Sequence, residues 1–366
     1  MKLPGTATIT VPTLLLDEHR CRANIRKMSE KAARAGVFFR PHFKTHQSLM
    51  IGRWLREEGV SGITVSSLQM AAYFSAEWDD ITVAFPVNIL EMDRINLLAS
   101  KIRLNILVED TQSLSFLKAH LTSPVGYFIK IDVGYGRTGL LPDNDRKINE
   151  LLALAASPNL QFKGFLAHAG HTYGCRSVAA ILAIHEQSRL TMIALKKRYQ
   201  SLFPDLMVSL GDTPGCSVAE DFTGIDEIRP GNFVFYDLTQ ARIGSNTTDE
   251  IAVALACPVV ALHPERNELV VYGGGVHFSK DRMEGEPEGT VFGRVVRQTA
   301  SGWGEVIPGM YLRSLSQEHG VLVAPPEELV QYQVGDIVMI LPVHSCMAAN
   351  AMKRYLTLEG EWIARL

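Results

Sequence analysis

The run Arg-Pro-His-Phe-Lys-Thr-His at residues 40–46 sets one amine, Lys44, among two imidazoles, a hydroxyl and a guanidinium. A positive neighbourhood and partial burial both lower an amine's pKa, and a lysine must shed its proton before it attacks an aldehyde. Arg40, His42, Thr45 and His46 therefore mark Lys44 as a candidate nucleophile toward a carbonyl carbon. A second pattern, Leu-Gly-Asp-Thr-Pro-Gly-Cys at 210–216, combines two glycines, a hydroxyl and backbone N–H groups, the materials of a phosphate cradle. Gly211 and Thr213, with the pair Gly231–Asn232 further on, are the candidate phosphate ligands. A third pattern, Ile-Asp-Val-Gly-Tyr-Gly-Arg-Thr-Gly at 131–139, places Arg137 in a glycine-rich loop. Any tight turn wants glycine, so the three patterns gain force only if the fold brings them to one place.

Eight short β-rich runs alternate with amphipathic stretches, at 37–43, 62–66, 81–85, 104–109, 127–132, 162–168, 206–210 and 227–229. Between the last pairs, 177–199 carries Ile181, Ile184, Leu190, Ile193 and Leu195 at helical spacing. Strand and helix repeated eight times predict a (β/α)8 barrel of the TIM type, in which chemistry sits on loops at the C-terminal strand ends. Polar residues collect there. Strand one ends in His42, Lys44, Thr45 and His46; strand five leads to Asp132 and Arg137; strand six ends in His168, His171 and Tyr173. Strands seven and eight lead into the phosphate-type loops, the position at which barrel enzymes commonly hold a phosphate.

Ahead of the barrel, 11–17 reads as a strand and 18–35 as a helix. After Asp237 the texture changes to Val, Gly and Pro, with strand candidates at 251–261, 268–273, 289–298, 320–323, 337–341 and 355–358 and hardly a helical period. The expected fold class is thus α/β, a barrel over 18–240 with an appended all-β C-terminal domain over 241–366 that takes in 1–17.

A chain of 366 residues with 46% hydrophobic and 20% charged residues and a formal net charge of -3 is globular in texture, without a basic stripe for nucleic acid or a polybasic membrane segment. Its opening lacks a signal-peptide stretch, and no run of about 18 consecutive apolar residues appears. Five scattered cysteines, without a C-x-x-C pair, argue against a disulfide framework and for a reducing compartment. These features predict a cytoplasmic protein whose partner is a small molecule or a second copy of itself.

Five motifs taken together resemble one family. Arg-Pro-His-Phe-Lys-Thr-His (40–46), His-Ala-Gly-His-Thr-Tyr (168–173), Arg-Pro-Gly-Asn-Phe-Val-Phe-Tyr-Asp (229–237), Gln-Glu-His-Gly (317–320) and His-Ser-Cys (344–346) are similar, in order and over nearly the whole chain, to the D-threonine aldolase and D-serine dehydratase group. That group belongs to the fold-type III, alanine-racemase-like pyridoxal phosphate enzymes. The resemblance implies pyridoxal 5'-phosphate carried on Lys44, with His42, His168 and Tyr173 beside it and Gly211, Thr213, Gly231 and Asn232 on its phosphate. It implies Arg137 at the ring nitrogen, where an arginine keeps that atom unprotonated and weakens the ring as an electron sink. It also implies a homodimer and a metal in the β-domain held by His344 and Cys346. In an extended segment residues i and i+2 project to one face, so imidazole and thiolate could share an ion. That donor pair favours zinc, with manganese or cobalt as alternatives. His319, in the Glu-His-Gly run, is expected near this segment as a partner or proton carrier, or else as a packed histidine.

The activity so implied acts on β-hydroxy-D-amino acids, the metal binding the β-hydroxyl. If Lys44 takes the α-proton and the metal helps hydroxide leave, the products are a 2-oxo acid and ammonia. If a base takes the hydroxyl proton instead, the Cα–Cβ bond breaks to glycine and an aldehyde. Aldolases of the group tend to pair His with Asp, and dehydratases His with Cys, so Cys346 favours dehydration. The stretch Met-Ala-Ala-Asn-Ala-Met-Lys-Arg-Tyr at 347–355 departs from the group's common pattern and leaves the substrate side chain open. An amino-acid racemase is a further alternative but needs a second acid–base group opposite Lys44. A non-catalytic pyridoxal phosphate carrier would leave the β-domain unexplained.

Overall fold

The computed structural model describes residues 9–154 and 157–366. Residues 1–8, part of the N-terminal segment assigned to the β-domain, lie outside the described residues. The chain forms two compact units: Arg26–Gly231, and the segment ending at Ile25 together with Asn232–Leu366. The helix Glu18–Ala35 contains the first of these boundaries.

Arg26–Gly231 is an eight-stranded parallel barrel. Its strands are Phe38–Phe39, Ile63–Val65, Asp80–Pro86, Arg103–Val108, Val125–Ile131, Leu160–Ala167, Met207–Leu210 and Glu227–Ile228, in ring order, with the first paired to the eighth. A parallel bridge between His42 and Thr64 joins the first strand to the second. The first strand is shorter than expected because Pro41 has no N–H to give the ladder. Leu107, Phe128 and Leu166 fill the interior, with Ala84 and Met207 against them. Below that layer Arg40 donates to Glu227 at 2.5 Å and to both carboxylate oxygens of Asp80 at 2.7 and 3.1 Å, tying strands one, eight and three. Arg40 therefore faces the barrel floor and does not belong to the surroundings of Lys44, where the sequence had suggested it.

The helix Val178–Tyr199 has the length and apolarity of a membrane span, which a soluble core helix can share. Its buried face, Ile181, His185, Ser188, Arg189, Met192, Leu195 and Tyr199, recurs at helical spacing, and it packs on barrel strands six and seven.

The second unit is largely antiparallel. Val253–His263, Glu268–Tyr272, His319–Val323, Gly302–Leu315, Gly293–Thr299 and Ile337–Pro342 form a closed ring, since Val253–His263 pairs with both Glu268–Tyr272 and Ile337–Pro342. Thr13–Leu16 pairs antiparallel with Val253–Ala256 and parallel with Leu356 and Thr357, so the first strand joins this unit. Two features depart from expectation. Gly302–Leu315 is a 14-residue strand that Gly304, Pro308 and Gly309 had hidden; bulged pairing with Gly293–Thr299 absorbs such residues. The segment 344–346, read as extended, runs into the helix Ser345–Met352.

Candidate active site

Lys44 sits in a turn after the first barrel strand, its side chain exposed rather than partly buried. The turn is built, not floppy. Gln47 adopts φ +46, a left-handed conformation uncommon outside glycine, and its side chain closes the turn by donating to Lys44 O at 3.0 Å. His46 is fully buried, its ring 4.5 Å from that of Phe43, and its Nδ1 accepts from Ser48 N–H; it is a core histidine. Ser67 and Asn88, polar residues at the ends of strands two and three, cap the helices that follow.

Two imidazoles remain beside Lys44. The Lys44 N–H donates to His42 Nδ1 at 3.3 Å, so the His42 proton lies on Nε2. His168 Nδ1 lies 3.0 Å from Gly211 O, an acceptor only, so Nδ1 carries the proton and Nε2 the lone pair. Burial, reinforced by Lys44 and Arg229, pushes His42 well below its ordinary range. Burial likewise takes His168 down to about 3, against the raising effect of the Gly211 carbonyl. Both are therefore neutral at pH 7, one offering a donor and the other an acceptor.

The ends of strands one, seven and eight converge tightly enough to demand glycine. A Cβ on Gly211 would stand 2.5 Å from Arg229 N, and one on Gly231 would stand 2.8 Å from His42 O. Thr213 Oγ1 accepts from Gly231 N at 3.2 Å. Asp212 braces the loop by accepting from Gly215 N and Thr172 Oγ1 at 2.7 and 2.8 Å. The Thr213 hydroxyl proton, in a cradle that excludes side chains at Gly211 and Gly231, is a donor that fits a phosphate. Asn232 does not join them through its side chain. Its Nδ2 donates to Asp237, Ser345 and Cys346, so the amide belongs to the other unit.

Asp132 Oδ1 accepts from the N–H groups of Gly134, Tyr135 and Gly136, fixing the loop that carries Arg137. The Tyr135 ring stacks near His171 and meets His168 edge-on, with ring centres 6.4 and 5.9 Å apart, and Gly170 leaves room for it. The Arg137 guanidinium is exposed and lies 4.8 Å from the centre of the Tyr135 ring. Tyr173 is half-buried, its ring 6.5 Å from that of His168. Among the described residues, His171 Nδ1 is buried without a hydrogen-bond partner.

One residue was missed. Lys130, 5% exposed in the fifth strand, donates to Ile131 O at 3.1 Å. Burial, with Arg229 and Arg137 adding to it, lowers its amine to about 7. The signal was a lone charge inside the apolar run Tyr-Phe-Ile-Lys-Ile. Arg229 is its buried neighbour, donating to Ser209 Oγ and Ala167 O, and burial takes it down to about 10.

In the second unit His344 is the residue before the helix Ser345–Met352, extended at φ -133 and ψ 104, and Cys346 lies in the first turn. The pair meets because the helix start brings the two side chains together, not because of strand alternation. Asp237, fully buried, organises it. Its Oδ2 accepts from His344 Nδ1 at 3.0 Å, Ser345 N at 3.0 Å and Asn232 Nδ2 at 2.8 Å, while Oδ1 caps the helix Leu238–Arg242 through Gln240 N. His344 Nδ1 thus donates its proton to Asp237 and Nε2 is left as a ligand atom, the usual arrangement behind a metal-bound histidine. Burial pushes the His344 pKa down, but Cys346 and the bond to Asp237 outweigh it and hold it well above normal. An imidazole Nε2 and a thiol beside each other, with the Asp237 carboxylate behind the imidazole, are two donors that fit a zinc-type ion with open positions. Among the described residues no cluster of three or more His, Cys, Asp or Glu is poised as metal ligands. His319 is exposed at the start of the strand His319–Val323, opposite Tyr272, and is not a packed histidine.

The model of the alanine racemase N-terminal domain matches residues 16–238, and that described as "Putative serine dehydratase domain" matches 252–358. A D-serine dehydratase of Dictyostelium discoideum is 31% identical over 96% of this chain and 94% of its own. A D-threo-3-hydroxyaspartate dehydratase of Delftia sp. is 26% identical over 97% of this chain and 95% of its own. A D-threonine aldolase of Arthrobacter sp is 24% identical over 92% of this chain and 86% of its own. The hydroxyaspartate dehydratase structure, solved as a cysteine-to-alanine mutant in the metal-free form, superposes with a TM-score of 0.92 at 25% identity, covering 98% of both chains. It has also been solved as a histidine-to-alanine mutant.

Proposed function

The chain belongs to the alanine-racemase-like, fold-type III family of pyridoxal phosphate enzymes that carry a D-serine dehydratase domain, and on that footing we propose that it is a metal-dependent D-serine ammonia-lyase. The observation that carries the reading is the His344–Cys346 pair held by Asp237, a donor set suited to an ion that assists a hydroxide leaving group. Lys44 would hold pyridoxal phosphate covalently. Gly211, Thr213 and Gly231 would receive its phosphate, and His42, His168, Tyr173 and Arg137 would surround its ring. Once bound, the cofactor supplies an electron sink for the Cα–H bond, and the ion on His344 and Cys346 supplies a Lewis acid for the β-oxygen.

The chain's own work is then proton management. Displaced from the cofactor by the substrate's amino group, the Lys44 amine would take the Cα proton while Cβ loses hydroxide. The released enamine tautomerises, and water displaces ammonia to leave a 2-oxo acid. Neutral His42 and His168 keep further positive charge away from Lys44, while the His42 Nε2 donor and His168 Nε2 acceptor stay available to orient polar groups. Arg137 at the ring nitrogen would weaken the sink and make help to the leaving group matter more. Five cysteines in no disulfide among the described residues suit the cytoplasm, and a homodimer is proposed with it, tested by a light-scattering mass twice that of the chain.

The deciding assay incubates the enzyme, loaded with pyridoxal phosphate and zinc, with D-serine, D-threonine and D-threo-3-hydroxyaspartate. Pyruvate and ammonia from D-serine, abolished by a chelator and restored by zinc, are expected. Glycine and acetaldehyde from D-threonine as the main products would establish an aldolase instead.

A further inference from the structure

The starts of the barrel strands frame a cavity of ≈ 460 Å³, lined by Arg40, Asp80, Arg103, Asn105, Gln161 and Lys163, with Leu104, Phe128 and Met207 as its apolar wall. That volume suits a small molecule. In such barrels the N-terminal face ordinarily serves stability. Arg40 fits that role, since its guanidinium is spent on Glu227 and Asp80. Lys163 does not. Its ammonium has Gln161 Oε1 at 3.2 Å and no carboxylate partner among the described residues.

The backbone is shaped around that ammonium. Tyr127 pairs with Phe162 and Phe128 with Gly164, so Lys163 is the extra residue of a bulge in the sixth strand. Bulges at barrel rims re-aim a side chain at the expense of ladder bonds. Gly164 holds the bulge at φ +137, where a Cβ would stand 1.9 Å from Met207 O. On the facing strand a Cβ at Gly126 would stand 2.0 Å from Asn105 Oδ1 and 3.0 Å from Lys163 Cε. Two glycines and a bulge thus hold open a polar chamber, and packing alone would not require a lysine in its wall. At the lip Arg103 is exposed, with Asp79 and Asp80 no nearer than 3.7 and 3.9 Å. Asp79, Asp80 and Glu227 answer Arg103 and Arg40, and Lys163 is left as the cation with no carboxylate beside it among the described residues.

We propose that the N-terminal mouth of the barrel binds a small organic carboxylate, paired with Lys163 and Arg103, its apolar body against Leu104, Phe128 and Met207. The apolar wall argues for an organic anion over a bare phosphate. The inference is independent of the reaction proposed above. Its test is calorimetric titration of the cofactor-loaded enzyme with benzoate, butyrate and inorganic phosphate, with the cofactor's absorbance followed in parallel. Saturable binding of a carboxylate probe is expected, with no change in the cofactor's spectrum. Lys163→Met should weaken it roughly tenfold or more, the loss of one charged hydrogen bond, while Lys163→Arg retains it. Arg103→Met, at an exposed position, gives a smaller loss and serves if Lys163→Met does not fold. No saturable binding, binding indifferent to both Lys163→Met and Arg103→Met, or phosphate bound as tightly as either carboxylate would overturn the proposal.

Discussion

Asp237→Asn isolates what the buried carboxylate does for the metal pair. Both oxygens of Asp237 accept from backbone N–H groups, Oδ1 from Gln240 and Oδ2 from Ser345, at 3.0 Å each, and Oδ2 also accepts from His344 Nδ1 and Asn232 Nδ2. An amide has one acceptor and one donor, so either orientation sets an NH2 against an N–H. Turned toward Gln240, it gives up a helix cap, worth about 0.5–2 kcal/mol. Turned toward His344, it opposes three donors. The first orientation is the less costly, and in it His344 keeps its bond but to a neutral oxygen. Losing such a partner costs about 10–100-fold in metal affinity, or about 1.4–2.7 kcal/mol. The assay is competition for zinc against a chromophoric chelator, beside a urea melt of the metal-free protein. Zinc affinity within twofold of the parent, in a protein that has lost only the stability of the cap, would refute the idea that Asp237 tunes His344.

Three further outcomes follow from the barrel. Lys44→Ala should lose retention of pyridoxal phosphate through dialysis, its absorbance band and pyruvate formation together, with the urea melt of the cofactor-free protein unchanged. Lys130 is lowered from an ordinary 10.5 to about 7, chiefly by burial. Between those values the unfolded chain binds the proton and the folded chain does not, so stability rises with pH by up to about 1.4 kcal/mol per unit across that window. Urea midpoints of Lys130→Met should lose that part of the slope, and a slope identical to the parent's would show that Lys130 stays charged. Arg40→Met takes from the fully buried Glu227 its nearer cation, leaving Arg229 at 4.0 Å, and should cost up to about 3–5 kcal/mol in a urea melt; a loss below about 1 kcal/mol would mean that Arg40 does not hold the charge of Glu227.

Much of this was legible in the chain because it is local. Alternating strand and helix periods report a barrel, the lysine turn and the 210–216 loop each gather the groups proposed for the cofactor within a few residues, and strand ends in a barrel share a mouth by construction. The His-Ser-Cys motif pointed by resemblance to the pair proposed here as metal ligands, though its geometry was read as extended. Three polar residues on apolar frames gave no local sign of whom they would meet. Asp237 reads as the end of a motif, yet its partners lie more than 100 residues away at His344 and Ser345. Asn232, beside a phosphate-type glycine, turns its amide to that same cluster, because the chain passes into the second unit there. Arg40, four residues from Lys44, points to the floor because successive strand residues face differently and only Glu227 and Asp80 can neutralise it when buried. Sequence periodicity determines which segments become strands and helices, since that depends on neighbours along the chain. Which charge answers which, and hence what Lys130, Asp237 and Lys163 can do, was decided only when folding removed water and made each buried group find its partner in space.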